Sequence, residues 1–130
     1  MVSLTLEQIL QLHALVLVKD GGADGVRDVG RLEAAVSTQH QVVFGEELYA
    51  TVFAKAAALI RGIIGDHPFT DGNKRTAMLA GLTLLEVNGY NFTAQRGELE
   101  NFAVRVATDR LDIDAIADWL KRHSRDISMV

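Results

Sequence analysis

The side chains best suited to chemistry are concentrated in one stretch, between positions 67 and 75. It reads His-Pro-Phe-Thr-Asp-Gly-Asn-Lys-Arg and contains His67, Asp71, Asn73, Lys74 and Arg75. The stretch lies between two segments whose apolar spacing predicts helices, so we expect a loop. Reactive groups are often carried by loops on a rigid scaffold. We therefore take this loop as the candidate active site.

The second half of the loop is suited to binding phosphate. Gly72 and Asn73 lead into a predicted helix, and the first N–H groups of a helix lack partners and carry the positive end of its dipole. Such an end binds anions readily. Lys74 and Arg75 add two positive charges there, although cations in a first turn oppose the dipole. A bound polyphosphate would offset that cost.

Asp71 and His67 each have a chemical and a structural interpretation. Asp71 could hold Mg²⁺, which prefers one or two carboxylates together with phosphate oxygens, or it could cap the helix or pair with Arg75. Histidine exchanges a proton near neutral pH, so His67 could be the base for an attacking hydroxyl. It could instead cap the end of the preceding helix. The whole set is harder to explain by packing than any member alone.

Other phosphate and metal sites fit the loop poorly. A Walker phosphate loop requires Gly-Lys-Ser/Thr preceded by a further glycine, whereas Gly72 is followed by Asn73. A zinc site would lack a third ligand. Phe69 is interpreted as a core anchor, and Pro68 as a residue that fixes φ.

The remaining histidines are left out of the candidate site. His13 lies on the apolar face of the first predicted helix and is interpreted as a core or interhelical histidine. His40 lies in the predicted flap and His123 in the last helical turn.

The elements that position the loop are predicted to be almost entirely helical. A single proline and the apolar spacing favour an all-α bundle of about six helices. A short β-like flap at Gln41 to Gly45 is expected beside the active-site loop. The helices are expected at Thr5 to Gly21, Asp28 to Val36, Leu48 to Gly65, Lys74 to Val87, Leu99 to Val106 and Asp112 to Leu120.

Composition limits the class of protein. A chain of 130 residues with 48% hydrophobic and 23% charged residues predicts one globular domain, residues 1–130. There is no cysteine, and a net charge of -4 argues against a nucleic-acid partner. With neither a signal-like N-terminus nor an apolar run long enough to span a bilayer, we expect a cytoplasmic protein without a membrane partner.

The loop resembles the Fic motif, His-x-Phe-x-Asp/Glu-Gly-Asn followed by Gly or Lys and then Arg. Lysine at position 74 is typical of the Doc (death-on-curing) branch. Similarity to this family covers most of the chain. It includes Gly21-Gly22, Asp28 with Gly30, Leu32-Glu33-Ala34, Phe44 to Tyr49, Lys55-Ala56-Ala57 and Asn88-Gly89-Tyr90.

The resemblance implies a Fic-type bundle that uses ATP and Mg²⁺. It assigns His67 as the base and Asp71 as the metal ligand. Gly72, Asn73, Lys74 and Arg75 would surround the phosphates. The flap would align a segment of the target protein.

The resemblance also bears on which group is transferred. AMP-transferring members have Gly at the position of Lys74 and a further Arg at that of Met78, and this chain has neither. Lysine would occupy the space of the terminal phosphates, so the nucleotide would bind reversed and present its γ-phosphate. Doc proteins are protein kinases of this kind, acting on a threonine of elongation factor Tu.

We therefore expect a protein kinase that is the toxin of a type II toxin-antitoxin system. The alternatives are AMP transfer to a protein hydroxyl and a catalytically inactive helical interaction domain. The implied antitoxin is Phd-like, with a disordered C-terminal segment that folds into a groove on the toxin.

Overall fold

The computed structural model describes residues 1–127, so the last three residues of the predicted domain, 128–130, lie outside it. The prediction of an all-α bundle is confirmed over the described residues. A short 3₁₀-helix, Thr38–His40, follows the second helix. The six helices of this range are α1 (Leu6–Asp20), α2 (Val29–Ser37), α3 (Val52–Asp66), α4 (Asn73–Val87), α5 (Arg96–Thr108) and α6 (Ile113–Arg122).

Side-chain caps set most helix starts. Thr5 and Gln8 form the predicted capping box at α1. Asp28 caps α2 and Asp112 caps α6, each accepting a hydrogen bond from a backbone N–H three residues on, as predicted. A cap of this kind satisfies one of the N–H groups that a helix start leaves unpaired.

α3 begins four residues later than the sequence predicts. The Leu48 N–H donates to the carbonyl of Gln41 at 2.8 Å, which closes a hairpin and keeps this part of the chain out of the helix. Thr51 is the cap, accepting from the Ala54 N–H at 3.0 Å. The predicted start at Leu48 was therefore wrong.

The predicted flap is a two-stranded antiparallel hairpin, β1 (Val42–Val43) and β2 (Glu46–Glu47). Its base is fixed by Lys55, whose ammonium donates to the Gln39 carbonyl at 2.7 Å and to the Glu47 carboxylate at 2.9 Å. Lys55 lies in the first turn of α3, whereas the loop follows the last. The hairpin therefore joins α3 at its first turn, and the predicted short flap is confirmed.

A second strand pair was not predicted. β3 (Tyr90–Phe92) pairs antiparallel with β4 (Ser124–Asp126) and joins the end of α4 to the end of α6. Strands of three residues give almost no alternating pattern, and their pairing depends on the tertiary fold.

α3 and α4 form the centre of the bundle. As predicted, α4 is buried on several sides, with Ala77, Ala80, Leu84 and Leu85 almost fully covered. A Cβ at Gly81 would overlap the Ile60 side chain, so glycine lets the two helices approach closely. In the part of the chain that the structure describes, no helix combines the length and apolar character needed to cross a bilayer.

Candidate active site

The loop between α3 and α4 is fixed from outside by the segment that precedes α2. The backbone N–H groups of Arg27 and Asp28 both donate to the Pro68 carbonyl, at 2.7 and 3.0 Å. The Thr70 N–H donates to the Gly25 carbonyl at 3.0 Å. Residues 68–70 therefore run against residues 25–28 like a short strand pair.

Phe69 fixes the loop from inside. Its side chain is 1% exposed, which confirms the predicted core anchor, and its ring stacks on His13. The Asn73 amide accepts from the Phe69 N–H at 3.0 Å and donates to the Phe69 carbonyl at 2.9 Å. The Asn73 side chain thus stabilises the conformation of the loop. Because its amide is already hydrogen-bonded, Asn73 would contact an anion through its backbone N–H.

His67 combines a fixed backbone with a free side chain. It ends α3 in the left-handed conformation (φ 47°), and its N–H donates to the Ile63 carbonyl at 3.2 Å. Its own carbonyl accepts from Arg27 Nε at 2.9 Å and Nη2 at 2.7 Å. The side chain is exposed, and within residues 1–127 its imidazole has no hydrogen-bond partner. The backbone caps the helix while the imidazole remains available for proton transfer.

The Asp71 carboxylate is held against the glycine-rich turn after α1. Oδ1 accepts from the Gly72 N–H at 3.0 Å, and Oδ2 accepts from the Ala23 N–H at 3.2 Å. A Cβ at Gly22 would lie 2.8 Å from Oδ2, so a side chain there would displace the carboxylate. Asp71 is neither the cap of α4 nor the partner of Arg75. Each carboxylate oxygen keeps a lone pair that could reach a cation.

The first turn of α4 is suited to binding an anion. Gly72 is its N-cap, in the left-handed region (φ 76°), and provides no capping side chain. Among the described residues, the N–H groups of Asn73, Lys74 and Arg75 have no hydrogen-bond acceptor. The Lys74 side chain is exposed and makes no ion pair within this range. Three free N–H groups and an unpaired ammonium are what a polyphosphate requires.

Arg75 is already paired with Asp20 at the end of α1. The hydrogen bond that Arg75 donates to this carboxylate, and then the carboxylate's charge, raise the pKa of Arg75 above its ordinary value. The Arg75 guanidinium is therefore bound to the last residue of α1.

Asp71 is the only acidic group that the loop offers to a metal. The described residues contain no cluster of three or more His, Cys, Asp or Glu side chains with metal-binding geometry. A cation held by one carboxylate would need phosphate oxygens and water for its remaining ligands. That set suits Mg²⁺ bound together with a nucleotide.

A cleft of about 420 Å³ opens at His67, between the end of α3 and the connection of α5 to α6. Leu111 and Ile64 contribute apolar surface, and Arg61 and Arg110 contribute charge. Arg61 Nε donates to the Leu111 carbonyl at 3.3 Å, which ties this connection to α3. The cleft is a route by which an acceptor group could reach the imidazole.

Three residues that hold the loop were missed from the sequence. They lie far from it along the chain, so their spacing gives no sign of the contact. The glycine run after α1 was the one available signal, because it marks a tight turn. His13 was correctly interpreted as a buried histidine, but its contact with the loop was missed, as were the contacts of Asp20 and Arg27.

The fold and the loop together define a helical protein with a candidate phosphate site at a helix N-terminus beside a free histidine. Residues 3–85, which include α1 to α4 and the loop, match the model of the Fic/DOC family. The chain belongs to the Fic/DOC family.

Two curated relatives indicate the branch. Toxin Doc of Mycolicibacterium smegmatis is 40% identical over 99 residues, which cover 75% of this chain and 76% of the relative. Protein kinase doc of Escherichia phage P1 is 32% identical over 116 residues, covering 89% and 90%. The chain is therefore similar to Doc proteins over most of its length.

Proposed function

We propose that this protein is a Doc-like toxin that transfers the γ-phosphoryl group of ATP to a hydroxyl side chain of another protein. The observation that carries the proposal is that one short loop brings three features together. The imidazole of His67 is free, the first backbone N–H groups of α4 have no acceptor among the described residues, and the Lys74 ammonium makes no ion pair there. One relative is named a toxin and the other a protein kinase. Elongation factor Tu is the target that the family resemblance implies.

The transfer requires one proton acceptor and several cations. An acceptor hydroxyl in the cleft gives its proton to a nitrogen of His67 while its oxygen bonds to the γ-phosphorus. The bond from that phosphorus to the β,γ-bridging oxygen breaks, and ADP leaves with the electron pair. Lys74, Arg75 and the N–H groups of α4 stabilise the charge on the phosphates. Asp71 would hold Mg²⁺, which when bound neutralises part of that charge.

Two positions favour phosphoryl over AMP transfer. Met78 stands where AMP-transferring members have a second arginine, and it is 3% exposed, so no cation is available at that point. Lys74 stands where those members have glycine, and its side chain projects from the first turn of α4. A cation in that place favours a nucleotide pose with the γ-phosphate toward His67.

The proposal includes an antitoxin with a C-terminal segment that folds on this chain. The outer face of α1 exposes apolar side chains, among them Leu15 (56% exposed) and Val18 (84% exposed). Exposed apolar surface of this kind suits an amphipathic helix. ATP and a translation factor are both cytoplasmic, so the toxin would act in the cytoplasm.

The test is the mass of purified elongation factor Tu after incubation with this protein, ATP and Mg²⁺. Phosphorylation adds about 80 Da at one hydroxyl. A gain equal to an AMP group would favour the AMP-transferase alternative. No gain, with a protein that binds ATP, would favour an inactive interaction domain or another target, and would count against the proposal as stated.

A further inference from the structure

We propose that His13 is a positioning residue for the candidate site, because it fixes the main chain of Asp71 and so the carboxylate that would hold Mg²⁺. This inference rests on the proposed function for its chemical meaning. The geometry itself does not depend on any nucleotide.

His13 lies beneath the loop on the inner face of α1 and is 3% exposed. Its Nε2 lies 2.8 Å from the carbonyl oxygen of Asp71. Its ring stacks on that of Phe69, with centroids 3.9 Å apart and planes 8° from parallel. One side chain thus contacts two loop residues that are two positions apart.

The hydrogen bond to Asp71 determines which nitrogen of the His13 ring carries a proton. A carbonyl oxygen can only accept, so Nε2 of His13 carries a proton and donates it to Asp71. The bond therefore anchors the Asp71 peptide to α1 and specifies where the loop turns into α4.

α1 and the turn after it hold Asp71 at two points. His13 binds the carbonyl, and the Ala23 N–H binds carboxylate oxygen Oδ2 at 3.2 Å. With both contacts present, the carboxylate faces the start of α4, where a phosphate-bound cation would lie. Without the first, the Asp71 carbonyl can turn toward water, and the carboxylate is held only by the N–H groups of Gly72 and Ala23.

His123 provides a matched control within the same protein. Its ring stacks on Trp119 with centroids 4.2 Å apart, and its Nδ1 lies 2.7 Å from the Trp119 carbonyl oxygen. Like His13, it thus stacks on an aromatic ring and lies within hydrogen-bond distance of a carbonyl oxygen. It follows α6, and both of these contacts are with Trp119 of that helix, not with the loop.

The first experiment compares backbone hydrogen exchange at residues 70–72 in the nucleotide-free protein. His13→Phe keeps an aromatic ring over Phe69 but removes the donor, so exchange at these residues should accelerate. His13→Gln retains an N–H donor and should restore part of the protection. His123→Phe should leave these residues unchanged. Equal exchange in His13→Phe and the unmodified protein would overturn the positioning role.

The second experiment measures ATP binding by calorimetry with and without Mg²⁺. His13→Phe should raise the Mg²⁺ concentration needed for half of the Mg²⁺ effect about ten-fold, as expected when support for a metal ligand is lost. ATP affinity without Mg²⁺ should stay within about two-fold. A loss of ATP affinity that is equal with and without Mg²⁺ would indicate general disruption of the binding site and would contradict the inference.

The two experiments separate the two claims. If Mg²⁺ has no effect on ATP binding by the unmodified protein, the proposed function loses its metal site. Hydrogen exchange at residues 70–72 then decides the positioning role alone.

Discussion

Asp20, the last residue of α1, forms an ion pair with Arg75 in the first turn of α4. The pair joins the end of α1 to the start of α4. The Asp20 carboxylate raises the pKa of Arg75, so the charged guanidinium already has an anionic partner. A phosphate that binds Arg75 must share it with Asp20 or displace Asp20.

Asp20→Asn should therefore tighten ATP binding a few-fold at low ionic strength, because it removes a competing charge. Arg75→Ala should weaken binding about ten-fold or more. Calorimetric titration with ATP measures both. Asp118→Asn is the control, since it breaks a comparable exposed pair with Arg122 on α6. Weaker binding by Asp20→Asn would mean that Asp20 orients Arg75 for phosphate instead of competing with it.

His67→Ala should abolish phosphoryl transfer while leaving ATP affinity and the melting temperature close to those of the unmodified protein. The imidazole is exposed and has no partner in residues 1–127, so its loss removes a base and no contact. Turnover, calorimetry and thermal melting are measured on the same sample. Lys121→Ala, at an exposed residue of α6, should change none of the three. Full turnover by His67→Ala would exclude His67 as the base.

Asp71→Asn should remove the dependence of ATP binding on Mg²⁺. The neutral amide is a weak magnesium ligand, and no other acidic group of the loop can replace the carboxylate. Titrations with and without Mg²⁺ should then coincide for this variant. Asp114→Asn, at an exposed acidic residue of α6, should keep the difference. A persistent Mg²⁺ effect in Asp71→Asn would place the metal ligand elsewhere.

Thr76→Val should raise the free energy of unfolding by about 1 kcal/mol. The Thr76 hydroxyl is buried in the first turns of α4 and has no partner among the described residues. Valine has nearly the same shape and carries no unsatisfied polar atom. Urea unfolding measures the change. A loss of stability would mean that the hydroxyl has a partner, such as an ordered water.

The sequence predicts those features that local chemistry determines. Thr5, Asp28 and Asp112 cap helices because their oxygens reach backbone N–H groups three residues on, and that spacing can be read directly. Phe69 was predicted as a core anchor of the loop, and its side chain is 1% exposed. The family resemblance was confirmed because the motif is long and specific.

The sequence does not predict features that depend on contacts between distant residues. The His13 bond to Asp71 joins residues 58 positions apart, and no local pattern marks it. The pairing of β3 with β4 has the same cause. The roles of the whole candidate site stay predictions: His67 as the base, Asp71 as the metal ligand, and Gly72, Asn73, Lys74 and Arg75 in phosphate binding.

The most direct test of the central claim is the origin of the group transferred to the target. Elongation factor Tu is incubated with this protein and Mg²⁺ in two parallel reactions, with ATP labelled at the γ-phosphorus in one and at the α-phosphorus in the other. His67→Ala serves as the control in both. Our account predicts label on the target from γ-labelled ATP only, with release of ADP and no label in the control. Label transferred from the α position would contradict the kinase assignment and would establish AMP transfer by the same loop.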